Sequence, residues 1–100
     1  MIKHIVMFKL KEMEQNKKQM VLQQIKSKLE ALNGQIEGLV SLEVGIDFLQ
    51  SEASYDLVLY AVLAGKRDLE KYQNHPLHVQ VANEVVKPAV CARIVVDYEF

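Results

Sequence analysis

Val40-Ser41-Leu42-Glu43-Val44-Gly45-Ile46-Asp47-Phe48-Leu49-Gln50-Ser51-Glu52-Ala53-Ser54-Tyr55-Asp56-Leu57-Val58-Leu59-Tyr60-Ala61-Val62-Leu63 contains two different strand signatures joined by a short polar loop. In the first half, Val40, Leu42, Val44, Ile46 and Phe48 alternate with Ser41, Glu43, Gly45 and Asp47. Successive side chains of a strand point to opposite faces, so this alternation predicts a strand buried on one face over 40–48. In the second half, Leu57, Leu59 and Leu63 occupy one parity while Val58, Tyr60 and Val62 occupy the other. A strand over 55–63 is therefore apolar on both faces, as a strand inside a sheet is when something covers each side. Gln50 to Ser54 supplies the connection.

Working outward, Ile2 to Leu10 has a strand's length and again two apolar faces, Ile5 and Met7 against Val6 and Phe8. Between these strands, Val21, Leu22, Ile25, Leu29 and Leu32 fall at helical spacing and predict an amphipathic helix over 14–32, which Asn33-Gly34 stops. After Gly65 a short helix is expected to end near His75, because a residue preceding proline is pushed out of the helical region. Pro76 is suited to open a further helix, Lys87-Pro88 to close it, and Val90 to Phe100 reads as the last strand.

The order strand, helix, strand, strand, broken helix, strand predicts an α+β ferredoxin-like sandwich, βαββαβ, in which two strand-helix-strand units with right-handed crossovers interleave into one antiparallel four-stranded sheet. In that topology the first and third strands are central, which matches their two-faced apolar patterns. Helices on one face leave the other open, and an open apolar face calls for a second copy of the chain packed sheet against sheet. The 100 residues read as a single domain over 1–100, with no repeat or linker.

Composition removes several function classes. Formal net charge is -1, which gives no electrostatic basis for binding nucleic acid. The clusters Lys17-Lys18 and Lys26-Ser27-Lys28 lie among helix formers and read as a solvated helix face. Cys91 is the sole cysteine, so no internal disulfide forms and a cytoplasmic location is expected. Its neighbours Val90 and Ala92 suggest a buried, inert thiol. The apolar run Ile5 to Phe8 is far too short for a signal peptide or a membrane span.

Chemistry concentrates in Leu69-Glu70-Lys71-Tyr72-Gln73-Asn74-His75-Pro76-Leu77-His78. Leu69 and Tyr72 share a helix face, so the phenol is expected to lean inward. His78, Ala82 and Val86 share a face beside the row Leu77, Val81 and Val85, which turns His78 toward the core. At the first turn of the helix begun by Pro76, free backbone N–H groups and the helix dipole favour a neutral imidazole, able to accept a proton. His75 is placed to cap that helix. The same residues equally suit plain packing, with Tyr72 and His78 filling space and His75 capping. No carboxylate accompanies the histidines at ligand spacing, and no phosphate loop, Ser-His-Asp set or Cys-x-x-Cys pair exists, so neither metal nor cofactor is expected.

The opening Met1-Ile2-Lys3-His4-Ile5-Val6-Met7-Phe8-Lys9-Leu10-Lys11, the element order, and Tyr72 followed by His75-Pro76-x-His78 together resemble the stress-responsive dimeric α/β-barrel (Dabb) domain family over essentially the whole chain. The resemblance implies a homodimer whose two sheets form a barrel, with helices outside and a cavity between sheet and helices in each subunit. One member type is a plant polyketide cyclase that closes a linear tetraketide-CoA by aldol condensation. By that resemblance His78 would be the base and Tyr72 would bind the substrate carbonyl, and His4 matches a histidine of the cyclase's first strand. Leu57 stands where the cyclase has a third-strand histidine. Two functional readings follow: proton transfer on a small apolar carbonyl compound, or a non-catalytic, stress-associated module that binds an apolar ligand or is packed shut. An open cavity shared by Tyr72 and His78 distinguishes the first, and one plugged by side chains such as Phe8 and Met7 the second.

Overall fold

The structure, a computed structural model, describes residues 1–100 and has the order β1 (Ile2–Leu10), α1 (Gln15–Glu30), β2 (Leu39–Ile46), β3 (Leu57–Leu63), α2 (Lys66–Asn74), α3 (Pro76–Val81) and β4 (Val90–Glu99). The strands form one antiparallel sheet in the order β2-β3-β1-β4, so the two strands with apolar patterns on both faces are the central pair. This is the ferredoxin-like α+β arrangement that the element order predicts.

Register explains which side chains reach the core. Ile2, His4, Val6, Phe8 and Leu10 of β1 are buried, as are Leu57, Leu59, Ala61 and Leu63 of β3. Leu22, Ile25 and Leu29 of α1 pack in the same cluster. The opposite sheet face carries Ile5, Met7, Tyr60, Ile94, Val96 and Tyr98, and no helix covers it. Ile94 is 51% exposed and Val96 59% exposed there, which a chain with no cover for that face cannot avoid.

Helix α1 is tied down at both ends. The Glu14 carboxylate accepts from the backbone N–H groups of Asn16 and Lys17 at 3.0 and 3.2 Å, capping orphan donors of the first turn. Beyond its last turn, Gly34 takes the left-handed φ of +77° that ends the helical run. Asn33 then donates to the Leu42 carbonyl and accepts from the Leu42 N–H, both at 2.8 Å. Glu30 accepts from the Val44 N–H at 3.0 Å, and Lys26 donates to the Val44 carbonyl. Two side chains of α1 and Asn33 of the turn that follows it thus satisfy the outer edge of β2, which would otherwise be free to pair with another strand.

Several expectations are corrected. Val40 does not share the inner face: Leu39 pairs with Leu63 and Ser41 with Val62, so Val40 is the extra residue of a bulge and is turned outward. Phe48 falls beyond the end of β2, in an exposed loop. Strand β3 begins at Leu57 rather than Tyr55, because the buried Asp56 carboxylate is occupied by the Leu10 N–H at 2.7 Å and by Lys18 at 2.8 Å. Lys18 and Lys26 are therefore structural, not members of a merely solvated face. The helix opened by Pro76 is not uniform: after Val81 it widens into a π-helical segment, Ala82–Val86, in which the Lys87 N–H reaches the Ala82 carbonyl at 2.8 Å. Leu77 is exposed, while Val81 and Val85 pack against the core as expected. Cys91 is exposed, not buried, since Leu10 pairs with Val90 and Lys9 with Ala92, leaving Cys91 as the unpaired residue of a second bulge.

Candidate functional site

Strands β1 and β4 form one wall of a cavity of about 580 Å³, and α3 with its π-helical continuation forms another. This lies within the roughly 300–1,000 Å³ typical of small-molecule pockets. Val6, Phe8, Leu29 and Leu59 make much of its surface apolar, and His4, Tyr72 and His78 bring polar groups into it. Phe8 lines the cavity without closing it, and Met7 lies on the other face of the sheet.

The break between α2 and α3 brings these groups together. His75 precedes Pro76 and takes an extended backbone, φ -66° and ψ 134°, so the chain turns there. Its Nδ1 accepts from the Leu77 N–H at 3.1 Å, the capping role expected of it. Tyr72, one turn before the break, is completely buried, and His78, just after it, packs on Tyr72 with ring centroids 4.4 Å apart and planes inclined by 48°. On the other side of the phenol, His4 meets Tyr72 edge-on at 6.1 Å. His78, Ala82 and Val86 all face the cavity, which the spacing of four predicts.

Three features set the chemistry. First, the Tyr72 hydroxyl is buried and has no hydrogen-bond partner in the protein. A buried unpaired hydroxyl is costly, and this one spends its hydrogen bond on no group of the chain. Burial also pushes its pKa above the ordinary tyrosine range, which keeps it a neutral donor. Second, burial lowers the His78 pKa, opposed by its contact with the Gln73 carbonyl and assisted by the positive field of Arg93. Burial is thus the main reason this imidazole stays neutral, rather than the helix terminus considered from sequence. The Gln73 carbonyl can only accept, so the His78 Nδ1 at 3.2 Å from it carries the proton and Nε2 keeps its lone pair. Third, the Nδ1 of buried His4 bonds the Asp97 carboxylate, directly opposite in the β1–β4 ladder. A carboxylate in this position fixes ring orientation and tautomer.

Sequence reasoning missed Asp97, which lies behind His4 and does not itself line the cavity, and the wall residues Lys87, Cys91 and Arg93. The available signal for Asp97 was parity alone: it alternates with the apolar Val96 and Tyr98 in β4 and so shares a face with Arg93 and Val95. Leu57, the residue at the cyclase's third-strand histidine position, is buried opposite Phe8 and does not line the cavity; Leu59 does. No group of three or more His, Cys, Asp or Glu side chains converges at metal-binding spacing. No helix is long and apolar enough to cross a membrane.

A family model described as the stress responsive A/B barrel domain matches residues 2–100. Among solved structures, a dimeric protein of unknown function with a ferredoxin-like fold from Bacteroides fragilis is 32% identical, with a TM-score of 0.90 and coverage of 99% of this chain and 95% of that one. A dimeric ferredoxin-like protein of unknown function from Thermobifida fusca is 24% identical, with a TM-score of 0.84 and coverage of 99% and 90%. The hydroxynitrile lyase of Passiflora edulis shares the fold at 19% identity, with a TM-score of 0.76 and coverage of 97% and 90%. No curated protein matches in sequence.

Proposed function

Because this chain belongs to the stress-responsive A/B barrel domain family, we propose that it works as a homodimer of single-domain subunits whose cavity accepts a small, largely apolar carbonyl compound and catalyses proton transfer on it. His78 is the base through its free Nε2, and Tyr72 donates its hydroxyl to the substrate oxygen. His4, held by Asp97, is the second imidazole beside the phenol. The lone thiol, with no disulfide partner, fits a cytoplasmic setting.

One observation carries the reading: the buried, unpartnered Tyr72 hydroxyl beside a neutral His78, both facing one open cavity. A carbonyl bound there would receive the phenol's hydrogen bond, stabilising negative charge as a proton leaves the adjacent carbon for His78. The open cavity favours this over the packed-shut alternative. Dimerisation is supported by the uncovered apolar face of the sheet and by the dimeric Bacteroides fragilis relative. Use of the same fold by a hydroxynitrile lyase shows that the fold can house an enzyme site.

The test is exchange of α-hydrogens for deuterium in a panel of apolar ketones and aldehydes, followed by proton NMR in D2O. The unaltered protein should accelerate exchange for at least one member, and His78→Gln should reduce that rate by ~100-fold or more while leaving binding intact. Exchange indifferent to His78→Gln would remove the mechanism.

A further inference from the structure

We propose that the cavity takes an amphipathic anion, an apolar body ending in a carboxylate, and that Lys87 and Arg93 form the carboxylate's subsite. The inference rests on the cavity being a ligand site, as in the proposed function, and adds the chemical class of what enters it.

The charged lining is one-sided. Lys87 and Arg93 face the cavity together with His4 and His78, and no Asp or Glu does. Neither Lys87 nor Arg93 is neutralised: the ion pairs of the chain engage His4, Lys18, Lys26 and Lys66 instead. The carboxylates on the same face of β4 are also occupied, Asp97 by His4 and Glu99 by Lys66. The two free cations come from different walls, Lys87 at the end of the π-helical segment and Arg93 on β4 opposite Phe8. Arg93 lies near enough to His78 for its field to lower that pKa, so its charge is felt inside the site.

Between these cations and the phenol the lining is apolar, with Val6, Phe8 and Leu59. The buried Tyr72 hydroxyl still lacks a partner, which gives the site a second oxygen-binding point separate from the cations. A guanidinium grips a carboxylate through two parallel N–H donors, and an ammonium adds a point charge. A ligand that satisfies all three features has an oxygen function within its apolar body and a carboxylate at one end, as an oxo acid does. Lys87 and Arg93 are both exposed at the edge of the cavity, where a carboxylate can reach them while its apolar body enters.

Calorimetric titration of the intact protein with decanoate, decyl phosphate and n-decanol separates the outcomes. Decanoate should bind at least about tenfold more tightly than n-decanol, the scale of one charge-assisted hydrogen bond. That advantage should shrink as ionic strength rises. The double variant Lys87→Gln, Arg93→Gln should lose the preference while keeping its affinity for n-decanol. Equal affinities, no binding by any probe, or a preference that survives in the double variant would overturn the subsite. Tighter binding of decyl phosphate than of decanoate would overturn its assignment to a carboxylate. The ionic-strength series on the unaltered protein keeps the test valid if the variant fails to fold. All these readouts are of binding, so loss of the proton-transfer reading with an intact anion preference would leave this inference standing.

Discussion

His4 and Asp97 face each other in the β1–β4 ladder, and the aspartate carboxylate holds the Nδ1 of a buried imidazole. The aspartate is partly open to solvent at 38%, whereas the histidine side chain is only 4% exposed. The energetic weight of the pair therefore lies on the histidine. Asp97→Ala should leave a buried N–H without a partner and lower stability by ~1–3 kcal/mol in urea unfolding. Glu99→Ala, one turn of the pleat further along the same face, breaks an exposed pair with Lys66 and should have little measurable effect. Equal effects from the two variants would show that the His4 contact has no special role.

Tyr72→Phe should move stability and function in opposite directions. Its hydroxyl is enclosed and unpartnered, so removing it lifts a desolvation cost and should raise unfolding stability by about 1 kcal/mol. The same change deletes the donor proposed to hold the substrate oxygen and should slow exchange of carbonyl α-hydrogens. Thermal unfolding and the NMR exchange assay on one preparation check both. A stability loss would mean that the hydroxyl has a partner in the folded protein.

His78 links pH to both properties. Burial holds its folded-state pKa below the ordinary histidine value of 6.5. Between the folded and unfolded values the unfolded chain binds more protons, so stability rises with pH across that window and is fully present above pH ~6.5. It is lost as pH falls through the folded pKa. Urea unfolding from acid to neutral pH should show this slope, and His78→Gln should flatten it. The acid limb of the proton-transfer rate should lie on the same side, below the ordinary histidine value, because only the neutral ring can act as base.

The uncovered sheet face makes assembly testable without a ligand. Ile5 lies at its centre, paired with Tyr60 on one side and Val96 on the other. Ile5→Glu should yield a monomer of 11.4 kDa in sedimentation, where the unaltered chain should sediment as a dimer, and should lower stability with it. A stable monomer of the unaltered chain at micromolar concentration would remove the barrel arrangement.

Much of this architecture is legible in the residue pattern, because period and burial are properties of short segments. Two apolar parities in β1 and β3 mark them as central, and Asn33-Gly34, His75-Pro76 and Lys87-Pro88 mark the helix ends through backbone conformation alone. Tyr72 and His78 could be turned toward the core by helical spacing. The failures share one cause. A bulge is a two-against-one mismatch between strands and has no signature in either strand alone, so Val40, expected inside, turns outward, and Cys91, expected buried, is exposed at the cavity wall. Lys18 and Lys26 looked like solvated surface because their partners, Asp56 and the edge of β2, lie far away in sequence.

By itself, then, the sequence determined the order and kind of the elements, the exposed sheet face and the inward turn of Tyr72 and His78, since each depends on local conformation and the periodic burial of apolar side chains. Only the tertiary structure decided that His4 meets Asp97, that the Tyr72 hydroxyl has no partner, and that Lys87 and Arg93 face the same cavity without counter-ions. Those relationships depend on strand register and on how α3 sits over β1 and β4. Register and layer packing are set by contacts between different elements, 93 residues apart for His4 and Asp97, which local propensity does not encode.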